Sequence, residues 1–269
     1  MSGHNHIHAH YHLRSIMMTF KAIAGRMAAL LALGLVLGPG VAQAAPTLRV
    51  GTNAEYAPFE FMDANKSIIG FDIDIIQAIA RSEGIEVEIV NMDFDDLGGA
   101  LQRQEVNAVI AALSITPERL EKFDFSDAYY ASGQSIVVRG ESVGRYKTAS
   151  DLAGAQICVL IDSTASEVAN EISPGSVRSY PSQPEAFAGL EARECEAVIN
   201  DRPVNQYFIA STGRGNVTEL SEVLSAEDYG IAVAKGNSAV LKQINDGLRK
   251  IRSSGEFVRI HRKWFAIGR

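Results

Sequence analysis

The sequence is short of cysteine, short of histidine beyond its first twelve residues, and has no long apolar run after residue 44. Two cysteines in 269 residues exclude a disulfide-built scaffold. Past the first twelve residues the only histidine is His261, so no set of imidazoles is left for a metal centre. A membrane helix needs about 20 consecutive apolar residues, and no run after residue 44 approaches that length. There is also no serine–histidine pair and no phosphate-binding loop, which leaves a hydrolase or nucleotide enzyme without support. What is present is 46% hydrophobic and 21% charged residues. That composition suits a packed chain of one large domain or two medium ones.

Acid is missing from the first 44 residues, which hold Arg14, Lys21 and Arg26 and no Asp or Glu. Ala28 to Leu37 is an unbroken apolar or glycine run, followed by Gly38-Pro39-Gly40 and Ala42-Gln43-Ala44. A basic start, a short apolar stretch and an A-x-A end predict a secretory signal peptide over residues 1–44, cleaved after Ala44. The alternating His4, His6, His8, His10 and His12 precede it. Alternating imidazoles can chelate a metal, but an extension ahead of a signal peptide is discarded with it. The remaining 225 residues carry 22 basic and 32 acidic side chains. A surface of that sign excludes nucleic acid as a partner.

From Leu48 onward short β-rich runs alternate with helical patterns, which predicts an α/β chain with mainly parallel sheets. Strands are predicted at Leu48–Thr52, Val87–Val90, Ala108–Leu113, Ile136–Val138, Gln156–Leu160, Ala197–Asn200 and Ile231–Ala234. Helices are predicted after Gly70-Phe71-Asp72 with Gly84 as the stop, over Asp96–Gln104, and from Thr116-Pro117, with Thr116 as N-cap and Pro117 at the first helical position. Thr164-Ala165-Ser166-Glu167 and Ser182-Gln183-Pro184-Glu185 read as capping boxes. Ser238–Ser253 is a long amphipathic helix and Phe257–Phe265 a short final one; Thr212–Asn216 is a polar stretch.

Several side chains lie where α/β folds collect ligands, at the carboxyl ends of strands. Arg119 follows the strand ending near Leu113-Ser114, and its guanidinium suits a carboxylate; the plain alternative is a surface arginine paired with Glu118 or Glu121. Asp201 follows another strand and suits an ammonium, or else caps the helix after Arg202-Pro203. Thr164 heads a helix whose free N–H groups favour an anion, or is only a cap. Tyr56 and Phe94 sit at strand ends, where aromatic rings hold an aliphatic or cationic side chain or simply fill the core.

Order and context raise these signals. The text from Leu48 to Phe61, followed by Ile68-Ile-Gly-Phe-Asp-Ile-Asp74, Met92-Asp-Phe-Asp95, Leu113-Ser-Ile-Thr-Pro-Glu-Arg119, Phe123-Asp-Phe-Ser-Asp127 and Tyr229-Gly-Ile-Ala-Val233, resembles the polar amino-acid-binding proteins of ABC importers. The resemblance spans the chain beyond residue 44. It implies a two-lobed periplasmic-binding-protein fold of type II, each lobe a mainly parallel sheet flanked by helices, joined by two hinge strands. Lobe one would be residues 46–131 plus 229–269 and lobe two 133–226, with crossings near Ala131–Gln134 and Glu227–Gly230.

Carried over position by position, the resemblance makes Arg119 the clamp on a ligand α-carboxylate, opposed by the Thr164 N–H and hydroxyl beside Ser163. Asp201, the Ser114 hydroxyl and the Ala112 carbonyl, with Leu113 between them, would receive the α-ammonium. Tyr56 and Phe94 would flank the ligand side chain, and Asn53, Glu55, Leu160 and Asp162 would lie near its head group. Cys158 and Cys195 each precede a site residue by six positions; an oxidising compartment and the Cys pairs of some relatives imply a disulfide, the alternative being two buried thiols.

The implied function is capture of a polar or basic L-amino acid of the arginine, lysine or glutamine kind, with no cofactor and no metal. The implied partners are an inner-membrane permease and its ATPase, and the protein would act as a periplasmic monomer. Asn53 stands where lysine and arginine binders commonly carry an acid, and Glu55 or Asp162 would restore the charge. Two other classes share the scaffold. One is a cyclohexadienyl dehydratase using Glu55 or Asp162 as its acid; the other is a receptor's sensing domain, for which no membrane or signalling segment follows.

Overall fold

The computed structural model describes residues 47–212 and 216–265. The predicted signal peptide, its histidine-rich extension and residues 213–215 of the polar stretch lie outside the described residues. In chain order the strands are β1 (Thr47–Thr52), β2 (Glu55–Tyr56), β3 (Glu60–Met62), β4 (Ile68–Ile69), β5 (Glu86–Asn91), β6 (Ala108–Val109), β7 (Phe123–Phe125), β8 (Tyr130–Ser132), β9 (Gln134–Arg139), β10 (Ile157–Leu160), β11 (Val177–Tyr180), β12 (Ala197–Asp201), β13 (Val217–Val223), β14 (Glu227–Tyr229) and β15 (Ala232–Ala234). The helices are α1 (Phe71–Glu83), α2 (Phe94–Gln102), α3 (Pro117–Lys122), α4 (Thr164–Ile172), α5 (Gln183–Glu191), α6 (Arg202–Thr212), α7 (Ser238–Ser253) and α8 (Glu256–Phe265).

Two five-stranded sheets form the cores of the two lobes, in the orders β5-β1-β6-β15-β7 and β11-β10-β12-β9-β13. In each sheet the first three strands are parallel and the fourth is reversed. The reversed strand is in both cases the one that follows a passage from the other sheet. Its predecessors, β8 and β14, pair antiparallel with each other, Tyr130 opposite Tyr229. Gly133 ends that passage: a Cβ there would lie 2.3 Å from the Ser225 carbonyl oxygen, so only glycine lets the two strands cross this closely.

Local chemistry accounts for the elements around the cleft. Gly70 precedes α1 with φ 144°, and a Cβ would sit 1.9 Å from the Phe59 carbonyl oxygen, which excludes any other residue. Phe71, Ile75, Ile76 and Ile79 of α1 are fully buried, against Ile244, Leu248 and Ile251 of α7 in the same core. Burial of each such side chain stabilises the fold by roughly 1.5–3 kcal/mol. Thr116 caps α3 as predicted, its Oγ1 accepting from the Arg119 N–H at 3.2 Å. Ser182 does the same for α5.

Three sequence readings need correction. The cap of α4 is Ser163, whose Oγ accepts from the Ser166 N–H, not Thr164, which is the first helical residue; that frees the Thr164 hydroxyl for other partners. The strand predicted over 108–113 pairs only at Ala108 and Val109, because Ala112 adopts a left-handed φ of 45° and turns the chain out of the sheet. Strand β13 went unread, since a bulge between Glu219 and Val223 breaks its two-residue alternation.

The single tryptophan of the chain, Trp264, lies in α8. Its indole N–H donates to Asp74 at 2.7 Å. Its ring meets Phe61 edge-on at 5.8 Å, and Phe61 in turn contacts Tyr207 of α6 at 6.0 Å. No helix among the described residues is long and apolar enough to cross a membrane.

Candidate functional site

The carboxyl ends of β1 and β6 face those of β10 and β12 across a cleft. Its lining includes Asn53, Tyr56, Ala112, Ser114 and Arg119 from the first lobe and Leu160, Ser163, Thr164 and Asp201 from the second. Phe94 and Glu60 complete the wall. In the form described the space between them is about 20 Å³, too small for an amino acid.

Arg119 is held from both sides. Its guanidinium donates to the Ser114 carbonyl at 3.0 Å within its own lobe and to the Asp162 carbonyl at 3.3 Å in the other. It also lies 6.0 Å from the centre of the Phe94 ring, within cation–π range. Asp162 turns its carbonyl this way because it adopts a left-handed φ of 55°, a conformation that glycine takes more easily. Burial pulls the guanidinium below its usual value, and Glu227, Glu167, Asp201 and Glu118 pull it back.

Asp201 ends β12 and is buried. Its Oδ2 accepts from the Tyr56 hydroxyl at 2.7 Å and from the Tyr229 hydroxyl at 2.5 Å, so it makes tyrosine contacts at the cleft. The Tyr56 hydroxyl also reaches Asn200 at 2.7 Å and thereby ties the first lobe to the second. Burial pushes the Asp201 carboxyl up to about 7; the nearby Glu227 adds to this, and the two tyrosines and Arg119 oppose it. A cation placed against this group would complete its ionisation.

Sequence reasoning missed Glu227. This residue of β14 accepts from the Ser114 hydroxyl and, at 2.9 Å, from the Thr164 hydroxyl, one from each lobe. The Thr164 hydroxyl also accepts from the Gln134 amide at 2.7 Å, and the Ser225 hydroxyl donates to the other Glu227 oxygen at 2.9 Å. The crossing near Glu227–Gly230 was the one available signal, since a residue on a passage between lobes borders the cleft floor. Tyr229 was read only as motif text.

The other predicted residues divide. Asn53 lines the cleft with its amide donating to the Met92 carbonyl at 3.1 Å, and Leu160 is a buried part of the wall. Leu113 turns into the core of the first lobe beside Leu97 and Phe123. Asp162 is exposed, on a neighbouring cavity with Phe94 and Arg119. Glu55 is not brought to the cleft: it alternates with the buried Tyr56 on β2 and borders a separate cavity beside Pro184 and Phe187. Cys158 and Cys195 are joined in a disulfide, with Cα atoms 5.8 Å apart.

The profile of the bacterial extracellular solute-binding proteins, family 3, matches residues 48–267. A probable histidine-binding protein of Neisseria gonorrhoeae is 31% identical over 91% of this chain and 96% of its own. The ABC transporter arginine-binding protein 1 of Escherichia coli (strain K12) is 32% identical over 83% of this chain and 93% of its own. Among solved structures, an ancestral arginine-binding protein bound to glutamine superposes with a TM-score of 0.78 and 39% identity, covering 81% of this chain and 97% of that one. All three are named as amino-acid-binding proteins, the second as that of an ABC transporter, and none as a dehydratase.

Proposed function

The chain belongs to the bacterial extracellular solute-binding proteins, family 3, and from that membership we propose that it captures a polar or basic L-amino acid by closure of two lobes. The cargo then passes to the permease and ATPase of an ABC importer. One observation carries the reading: a guanidinium from one lobe, Arg119, and a carboxyl from the other, Asp201, line a single cleft. A free amino acid presents the complementary pair, an α-carboxylate and an α-ammonium, on adjacent atoms. Bound to both, it is satisfied only when the lobes are together, and that differential contact drives closure.

In this reading Arg119 and the Thr164 N–H and hydroxyl hold the α-carboxylate. Asp201, the Ser114 hydroxyl and the Ala112 carbonyl hold the α-ammonium, while Tyr56, Phe94, Asn53 and Leu160 surround the side chain with Ser163 and Asp162 at the rim. Lobe one is residues 46–131 plus 229–269 and lobe two 133–226, turning about β8 and β14. Asp201 and Glu227 outnumber Arg119, so an amino acid bearing an extra positive charge, such as arginine or lysine, gains over glutamine. The chain is exported through its first 44 residues, cleaved after Ala44, and acts as a periplasmic monomer.

Thermal unfolding of the mature protein, refolded to strip carried-over ligand, tests the reading against the twenty amino acids, cystine, ornithine and prephenate. A ligand that binds only the folded state raises the midpoint by mass action. The expected result is a shift with one or a few polar or basic amino acids that disappears in Arg119→Ala. A shift with prephenate alone, or with none of the panel, overturns it.

A further inference from the structure

Glu227 collects hydroxyl protons from three directions. Its Oε2 accepts from Ser114 of the first lobe and from Thr164 of the second, and its Oε1 accepts from Ser225. Two relays run into it from Gln134, at the start of β9. The Gln134 backbone N–H donates to the Ser225 hydroxyl at 3.1 Å, and the Gln134 side-chain amide donates to the Thr164 hydroxyl at 2.7 Å. An N–H group only donates and a carboxylate only accepts, so a hydroxyl between them has one orientation left. Ser225 and Thr164 therefore both give their proton to Glu227, and chains aligned in this way polarise one another.

That direction matters in the cleft. Ser114 and Thr164 are among its lining residues, and Glu227 is not. A hydroxyl carries a single proton. With that proton turned to Glu227, Ser114 Oγ has only lone pairs to offer a ligand. Thr164 has likewise spent its hydroxyl proton, and what it keeps for an anion is its backbone N–H, free of an intrahelical partner because Thr164 opens α4.

We propose that Glu227 is a positioning residue that sets the polarity of the site: by holding these two protons it makes Ser114 an acceptor for the α-ammonium and leaves the α-carboxylate to Arg119 and the Thr164 N–H. The Thr164 contact given above thereby narrows to its N–H. The identity of the ligand groups rests on the amino-acid-binding reading; the proton directions rest on the hydrogen bonds alone.

Neutron diffraction from crystals of the deuterated mature protein tests the directions. Deuterons on Ser114, Thr164 and Ser225 should point at Glu227, with none on its carboxyl. Calorimetric titration then compares L-arginine with 5-guanidinopentanoate, the same molecule without its α-ammonium. Glu227→Leu should shrink the preference for L-arginine about tenfold, and a general loss of closure cancels in that ratio. Glu227→Gln, which keeps one acceptor oxygen, should shrink it less. Ser114→Ala should also shrink the preference in the wild type, yet change it less than about threefold in the Glu227→Leu background, where the hydroxyl is no longer held as an acceptor.

A deuteron on Glu227, a Ser114 or Thr164 deuteron turned into the cleft, or a preference that Glu227→Leu leaves unchanged overturns the proposal. Should Glu227→Leu not fold, the neutron map and Glu227→Gln decide. A wild type that binds neither compound fails the cargo reading instead, and the neutron map then judges the proton directions by itself.

Discussion

The two lobes share one strand order and differ in what fills them. Around the first sheet one core joins Phe59, Phe71, Tyr129 and Tyr229 to the aliphatic side chains of α1 and α7, with α8 packed outside, and another is built on Leu97, Leu101 and Val109. Around the second sheet one core is aliphatic, built on Ile136, Val159, Ile199 and Leu220, and the other holds the Cys158–Cys195 disulfide beside Phe187. The larger lobe encloses its own apolar mass, while the smaller one, with less surface to bury, has a covalent link across β10. The division extends to the site. The Arg119 cation and the aromatic rings come from the first lobe, and Asp201 and the N-terminus of α4 come from the second.

The sharpest way to break this division is at its charges. Arg119→Ala in the first lobe should cost about 3–5 kcal/mol of amino-acid affinity, and Asp201→Ala in the second a similar amount, because each leaves a desolvated partner charge unpaired. Calorimetric titration checks both; a loss confined to one lobe would mean that the other only covers the ligand.

Next in size is the covalent link. The disulfide spans 37 residues, and chain entropy assigns such a loop about 3–4 kcal/mol. Denaturant unfolding with and without reductant, followed by hydrogen exchange, should show protection falling in β10–β12 before it falls in β1, β5 and β6. Uniform loss would show that the lobes unfold as one unit.

A smaller effect follows from acidity. With the empty Asp201 carboxyl at about 7, an α-ammonium must displace a proton at lower pH. Affinity should be flat above about pH 7 and fall by up to about tenfold, or 1.4 kcal/mol, per unit below it. Asp201→Asn should flatten the profile. The sign for folding is opposite: a carboxyl raised above its unfolded value makes the empty fold more stable as pH drops from about 7 toward 4, and this contribution also vanishes in Asp201→Asn.

The least effect concerns the bond between lobes. Glu227→Gln weakens the tie between Ser114 and Thr164 by about 0.5–1.5 kcal/mol. X-ray scattering of the ligand-free protein should then give a larger radius of gyration, and an unchanged radius would remove Glu227 from control of closure.

Local chemistry in the sequence reached far into this fold. The Thr116-Pro117 cap, the Gly84 stop and the bounds of α7 follow from side chains adjacent to the backbone they satisfy, and a single sequence displays those. It failed where two local signals compete, as at Ser163-Thr164, either of which can cap; the structure gives the cap to Ser163 and releases the Thr164 hydroxyl to Glu227. It also failed where the partner is remote. Ala112 leaves the sheet because Asp72, 40 residues earlier, takes its N–H, and no window around Ala112 contains that information. The convergence of Arg119, Ser114, Thr164 and Asp201 was legible through motif resemblance, whereas the outward turn of Glu55 depends on which face of β2 meets the core.

Trp264 gives the molecule an optical readout of its own motion. Its indole is anchored to Asp74 on the first lobe and touches Phe61, whose other neighbour is Tyr207 on the second. Separation of the lobes draws Tyr207 off that stack and admits water to one side of the ring, which should move the emission maximum to longer wavelength and raise collisional quenching by iodide. With no second tryptophan in the sequence to dilute the signal, stopped-flow fluorescence of the unlabelled protein would time closure around each amino acid offered to it.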